Sequence, residues 1–383
     1  MQPKDSSHLA ALRFAVEYHL TGAEAQAREQ ARLICIDQTV EASDEVIPPG
    51  PIRDEIVGRV ESFRRLDAGR YEAVISYAGE LMGESGTQFL NVVFGICSLK
   101  PGIRVARLRL REALLAGWSG PRFGREGLRQ LVGVPDRPLV CGVLKPLGFS
   151  PAQLAALAQQ FALGGVDVIK EDQGLADHPF CSFTERVARC AEAIANANRE
   201  TGRTCLYVPH VSGPWALLRE RSLFAKRAGA GGVLVCPGLT GFDALRDLAR
   251  DEAVALPILS HPALLGTFTA HEDSGIAPAV LYGQLPRLCG ADATLYPIYG
   301  SEYAMSRADC AAIKEETGAP WGRLRPIFPT AAGRIGFDRI AELCAFYGRD
   351  VLFVLGSRIQ QETDGVVRAC QKFVEEVGRC LKL

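Results

Sequence analysis

Residues 139–172, LVCGVLKPLGFSPAQLAALAQQFALGGVDVIKED, contain one repeat of the fold. An apolar run ends at Lys145, a helical run follows, and a second apolar run ends in Lys170, Glu171 and Asp172. Ser150 is a favoured helix N-cap, Pro151 suits the first helical position, and Gly164-Gly165 stops the helix. Short apolar strands alternating with helices signal parallel βα units.

The pattern recurs outward from this stretch. Strand-like segments lie at 139–145, 166–172, 205–210, 232–236, 257–261, 294–296, 325–330 and 352–356, with helix-length intervals between them. Residues 182–202, 335–346 and 362–381 have helical spacing. Eight such units in about 250 residues match the length of a closed (β/α)₈ barrel, whose chemistry sits at the carboxyl ends of its strands. Those ends carry Lys145, Lys170, Asp172, His210 and His261. The pattern predicts an enzyme.

The earlier part of the chain reads differently. Residues 12–20 alternate as a strand, 25–33 are helix-like, and 34–41 and 71–76 read as strands. Ser85 caps a short run at 88–93 that reads as helix or strand. Residues 118–136, with Gly120-Pro121, Gly124 and Gly133, read as a linker. The predicted architecture is α/β. A smaller N-terminal α+β, ferredoxin-like domain over 1–128 precedes a C-terminal (β/α)₈ TIM barrel over 129–383.

Composition narrows the function. The hydrophobic fraction of 48% with 23% charged residues is that of a globular chain. A formal net charge of −1 gives no reason to expect a nucleic-acid or membrane partner. No secretory signal and no 18-residue apolar span is visible. Twelve scattered cysteines with no C-x-x-C pair read as buried free thiols, which fits a reducing cytoplasm.

Each strand-end residue has two readings. Lys145 is a desolvated acid–base group or a snorkelling surface lysine. Lys170 and Asp172 share one strand face, with Glu171 on the other. The pair is a salt bridge or, if Lys170 carries a carbamate, a site for a divalent ion. His210 and His261 are satisfied core histidines, or they act as acids, bases or phosphate ligands. The segments PTAAGRIG and FVLGSRIQ offer glycine turns where barrel enzymes hold phosphate on backbone N–H groups, with Arg334 and Arg358 adding charge.

These segments together resemble the RuBisCO large subunit, and more closely the RuBisCO-like proteins of form IV. The resemblance covers nearly the whole chain: LRFAVEYHL, VVFGICSLKPGIRV, GVLKPLGFS, GGVDVIKEDQGLADHPF, SHPALLGTF, GADATLYPIYG and the two glycine segments. It implies an acid–base role for Lys145 and a substrate-site role for His261. It also implies CO₂-derived carbamylation of Lys170 to hold Mg²⁺ with Asp172 and Gln173. Phosphate binding falls to the loops at Gly333 and Gly356, with Ser357, where Ala332 replaces a phosphate-site serine and Arg334 a neighbouring glycine. A homodimer or higher homo-oligomer is implied, in which the N-terminal domain completes the partner's site.

Departures from the RuBisCO pattern are as informative. Leu147 replaces a lysine, Gln173 a metal-binding glutamate, and Pro262 an arginine. The substrate-contacting asparagine of the N-terminal domain aligns with Val92, beside Asn91. IYGSEYAMSR lacks the lysine that stabilises the new carboxylate. The expectation is a non-carboxylating enzyme that enolises a phosphorylated keto-sugar. The outcome would be isomerisation, as with methylthioribulose 1-phosphate, or decarboxylation of a 3-oxo sugar-acid phosphate. The alternatives are the diketo-methylthiopentyl-phosphate enolase of methionine salvage and a non-catalytic relative that binds a phosphorylated metabolite.

Overall fold

The computed structural model describes residues 12–303, 305–333 and 335–380. Thirteen strands lie among them: β1 (Arg13–Thr21), β2 (Arg59–Asp67), β3 (Arg70–Ala78), β4 (Ile103–Arg109), β5 (Leu139–Leu144), β6 (Val168–Glu171), β7 (Leu206–Val208), β8 (Val233–Val235), β9 (Ile258–Ser260), β10 (Gly275–Ile276), β11 (Ala293–Thr294), β12 (Phe328–Ala331) and β13 (Leu352–Leu355).

Residues 12–119, with Leu265–Gln284 and Trp321–Arg323, form one compact unit. Its five-stranded sheet has the order β10-β4-β1-β3-β2 and is antiparallel except at β10. The strand expected at 34–41 is instead the last turn of the helix Glu24–Asp37 followed by a turn over 38–40. Ala27, Ala31, Ile34 and Cys35 are buried along it at helical spacing, so the β-branched residues complete an apolar helix face. The run at 88–93 is also helical, within Gly86–Phe94, and the Ser85 side chain accepts the Gln88 N–H. The edge strand β2, RVESFRRLD, is exposed along most of its length. Charged residues protect such an edge from pairing with another chain.

The remainder, from Gly120, forms the second unit. Its eight strands are all parallel, in the order β7-β6-β5-β13-β12-β11-β9-β8. A bridge between His210 and Leu234 closes β7 onto β8. Each of the eight expected barrel segments overlaps one of these strands, β11 only at Thr294. The inter-strand helices follow the sequence signals. Pro151–Leu163 starts at a reciprocal Ser150–Gln153 capping box, and Phe183–Thr201 ends at Gly202 in a left-handed conformation.

The residues read as a linker, 118–136, hold the helix Gly124–Val132. Leu128 and Val132 join the apolar cluster inside the barrel. Buried Asp292 anchors the start of this segment by accepting the N–H groups of Phe123 and Gly124 at 2.8 and 2.7 Å.

Candidate active site

Strand alternation places the site. The barrel interior is filled by Val143, Val168, Val208, Leu234, Leu259, Phe328 and Val354, among others. Two residues further along each strand, on the same face, come Lys145, Lys170, His210, Cys236, His261, Thr330 and Gly356. The apolar layers therefore end in a polar layer at the carboxyl ends of the strands. Parallel-barrel chemistry is located there.

Lys170 is the more deeply buried of the two site lysines, at 3% exposure. Its Nζ donates to the Glu171 carbonyl at 3.1 Å. Burial lowers its pKa, the Lys145 charge lowers it further, and Asp172 opposes both. Glu171, one residue on, faces the other way and is fully buried. It accepts from Arg186 Nε at 2.6 Å and Nη2 at 3.2 Å, from the Tyr207 hydroxyl at 2.6 Å, and from the His210 N–H at 2.9 Å. This carboxylate is committed to the wall, so Asp172 is the acid left beside Lys170. Asp172 Oδ1 accepts the Gln173 N–H at 3.1 Å, and Gln173 is exposed on the rim.

Lys145 lies at the end of β5 beside the end of β13. A Cβ built on Gly356 would sit 3.9 Å from its Nζ. Leu147, half-exposed, lies 3.9 Å from the corresponding point on Gly174.

The two histidines hold their protons differently. His261 Nδ1 accepts the Ala263 N–H at 3.2 Å, so the ring proton sits on Nε2. Burial, then the charges of Lys170 and His210, push its pKa well below the usual histidine value. His210 Nδ1 meets the Leu175 carbonyl at 3.3 Å, so there the proton sits on Nδ1. Burial also lowers the His210 pKa. Both rings are neutral at pH 7.

At the ends of β12 and β13, the latter paired with β5, Ala332 packs against the barrel core. Gly333 has φ +118°, and a side chain there would press on Ser301 at 3.0 Å. Gly356 precedes the short helix Ser357–Gln361, and Ser357 is exposed. Arg358 pairs with Asp338 at 3.5 Å. Arg334 lies outside the described residues.

Two members of the polar layer escaped the sequence reading. Cys236 is fully buried with its sulfur 3.5 Å from His210 Nε2. Thr330 is buried with no hydrogen-bond partner for its hydroxyl among the described residues. The signal was available, because each stands two residues beyond an apolar interior position on its strand. In the N-terminal unit, a cavity of about 320 Å³ is lined by Asp37, Gln38, Asn91 and Leu99, among others. Asn91 is exposed there while Val92 is buried.

A closed parallel barrel with lysines, an aspartate and neutral histidines at its mouth defines a barrel enzyme. Comparison with known proteins narrows the class. Residues 126–368 match the family model for the ribulose bisphosphate carboxylase large chain, catalytic domain. The chain belongs to the RuBisCO large-chain family. It is 37% identical to ribulose bisphosphate carboxylase-like protein 1 of Rhodopseudomonas palustris over 96% of this chain and 98% of that one. It is 33% identical to the 5-methylthioribulose-1-phosphate isomerase of Rhodospirillum rubrum, over 96% of each chain. The crystal structure of a Rubisco-like protein from R. palustris superposes with a TM-score of 0.88 at 37% identity, covering 96% of this chain and 98% of that one. A 2,3-diketo-5-methylthiopentyl-1-phosphate enolase of Geobacillus thermodenitrificans is 33% identical over 76% of this chain and 71% of its own.

Proposed function

We propose that the protein is a non-carboxylating RuBisCO-like enzyme that enolises a phosphorylated keto-sugar, with isomerisation as its outcome. The observation that carries this reading is the convergence of Lys145, Lys170, Asp172 and neutral His261 on one polar layer above an apolar core. The isomerase outcome is preferred over the enolase one because the isomerase matches 96% of this chain and the enolase 76%. A 3-oxo sugar-acid phosphate decarboxylation would use the same enediolate.

The residues divide the work by place. Backbone N–H groups around Ala332, Gly333, Gly356 and Ser357 hold the phosphate, with Arg334 supplying charge. Gly356 has no side chain, which leaves Lys145 open to the ligand held there. Lys145 takes the proton from the carbon next to the ketone, and the C–H electron pair forms the enediolate. Transfer of the neighbouring hydroxyl proton to the enediolate oxygen, with return of the abstracted proton to the former carbonyl carbon, completes a 1,2-isomerisation. His261 presents Nε2–H to the developing oxyanion as a neutral donor.

The donor set fits a hard divalent ion. CO₂ adds only to a neutral amine, and the burial that lowers the Lys170 pKa favours that form. A carbamate on Lys170 and the Asp172 carboxylate offer anionic oxygens, and Gln173 offers a neutral amide oxygen. The charge is then about two negatives where a glutamate in place of Gln173 would give about three, so Mg²⁺ binds more weakly. When bound there, Mg²⁺ would polarise the substrate carbonyl.

Leu147, Pro262 and the lysine-free loop after β11 argue against carboxylation. Among the described residues, no helix is long and apolar enough to cross a membrane. The twelve free thiols accord with a cytoplasmic setting. The active unit is a homodimer or larger, with Asn91 of the N-terminal unit reaching a partner's site.

The test is turnover of a panel of ketose phosphates followed by NMR. Methylthioribulose 1-phosphate should be isomerised. Ribulose 1,5-bisphosphate with labelled CO₂ should give no labelled phosphoglycerate. The opposite pair of results refutes the reading.

A further inference from the structure

Cys236 follows β8 at the floor of the polar layer, and nothing in the chemistry above uses it. Its N–H donates to Ser212 Oγ at 2.9 Å, which fixes the backbone. Its sulfur lies 3.5 Å from Nε2 of His210. His210 is clamped from two further sides. Its N–H donates to Glu171 at 2.9 Å, and its Nδ1 lies 3.3 Å from the Leu175 carbonyl. A carbonyl only accepts, so Nδ1 must carry the ring proton. Nε2 is then a bare lone pair, and the Cys236 thiol lies within hydrogen-bond distance of it. Burial raises the Cys236 pKa, which keeps the thiol protonated.

We propose that Cys236 is a positioning residue: its S–H donates to His210 Nε2, fixes the Nδ1–H tautomer, and withdraws that ring's one lone pair from proton transfer. The consequence is a division of labour between the two histidines. His261 keeps an Nε2–H free to donate, while His210 has both nitrogens occupied by the protein. His210, expected from sequence as an acid or base, is thereby a wall residue within reach of the Lys170 charge. Without the thiol, a free lone pair beside Lys170 would compete with substrate for the protons of the site.

The kinetic part of this inference rests on the proposed enolisation, but its spectroscopic part does not. The experiment is ¹⁵N NMR of the full-length protein labelled at histidine, with the His210 signals assigned by their loss in His210→Gln. The expected wild-type spectrum has a protonated Nδ1 and a hydrogen-bonded, unprotonated Nε2. Cys236→Ser, which keeps a donor, should retain that pattern. Cys236→Ala should shift the Nε2 signal towards that of an unpaired nitrogen or mix the tautomers. With an active ketose phosphate, kcat should fall about tenfold in Cys236→Ala, equivalent to about 1.4 kcal/mol, and stay within about threefold of wild type in Cys236→Ser. A purely packing role would lower Tm in Cys236→Ala and leave the His210 signals in place. A wild-type proton on Nε2, or unchanged His210 signals in Cys236→Ala, overturns the proposal. If no ketose phosphate is turned over, the enolisation reading fails while the tautomer pattern still decides this one.

Discussion

Lys170 and Glu171 are neighbours on one four-residue strand, and the two faces of that strand treat buried charge in opposite ways. On the outward face, Glu171 is matched by Arg186, Tyr207 and the His210 N–H. On the inward face, Lys170 has one backbone carbonyl and a carboxylate nearby. The outer charge is spent on architecture, and its satisfied network fixes where β6 and β7 end. The inner charge is held under-satisfied, which is the condition for further chemistry. On this strand the contrast separates wall from mouth: Glu171, with its partners in place, builds the barrel, and Lys170, with few partners, faces the mouth.

Four substitution or pH experiments probe that contrast. The largest effect belongs to the inward face. Lys145→Ala should lower kcat on the order of 10²–10⁴-fold, the scale of positioned proton transfer, with little change in KM. Steady-state kinetics on the active ketose phosphate checks it, and an equal rise in KM would move Lys145 from chemistry to binding. On the outward face, Glu171→Gln should leave Arg186 without its counter-charge and destabilise the fold by about 3–5 kcal/mol. Lys170→Met should abolish activity while leaving Tm unchanged or higher, because it removes a desolvated amine. If thermal melts show the two variants equally destabilised, the distinction between faces collapses.

A smaller effect concerns pH. His210 and His261 both have folded-state pKa values pushed below the usual value of about 6.5. The unfolded chain therefore binds more protons than the folded one as pH falls. The stability these rings contribute is fully present above about pH 6.5 and is lost as pH drops through 6.5 towards their folded values. Tm should decline across this window, and His261→Gln should flatten the slope. A slope unchanged in the variant would place the acid lability elsewhere. The smallest effect is on metal. Gln173→Glu should tighten Mg²⁺ binding about fivefold, as an added charge at the exposed rim contributes about 1 kcal/mol in water. Calorimetry with bicarbonate present reads it, and equal affinities would remove Gln173 from the ligand set.

The barrel was legible in the sequence for a physical reason. Strands covered on both faces must be apolar throughout, so each segment stood out, and the first polar residues after it marked the mouth. Lys145, Lys170, His210 and His261 were found this way. Cys236 was missed because a thiol reads as one more apolar residue in LVC. Thr330 was legible as a strand-end position two residues beyond Phe328, but its hydroxyl's lack of a partner among the described residues shows only in three dimensions. In the N-terminal unit the signal was weaker. β2 is exposed along most of its length and has no apolar face to read. Ile34–Asp37 carry strand-like residues, yet Ala27 and Ala31 on the turns before them set a helical period. The helix Gly124–Val132 was hidden by its flanking glycines, although Leu128 and Val132 four residues apart announce its buried face.

The central claim is that this inward-facing layer removes a proton next to the carbonyl of a phosphorylated ketose through Lys145. Deuterium exchange tests it most directly. Incubating methylthioribulose 1-phosphate with the enzyme in D₂O, and following the carbon-bound hydrogens next to the ketone by NMR, should show enzyme-dependent deuterium incorporation into recovered substrate or product. Lys145→Ala should lose that incorporation while the protein still binds the ligand. Absence of deuterium in any ketose phosphate tried, or incorporation undiminished in Lys145→Ala, would contradict the account.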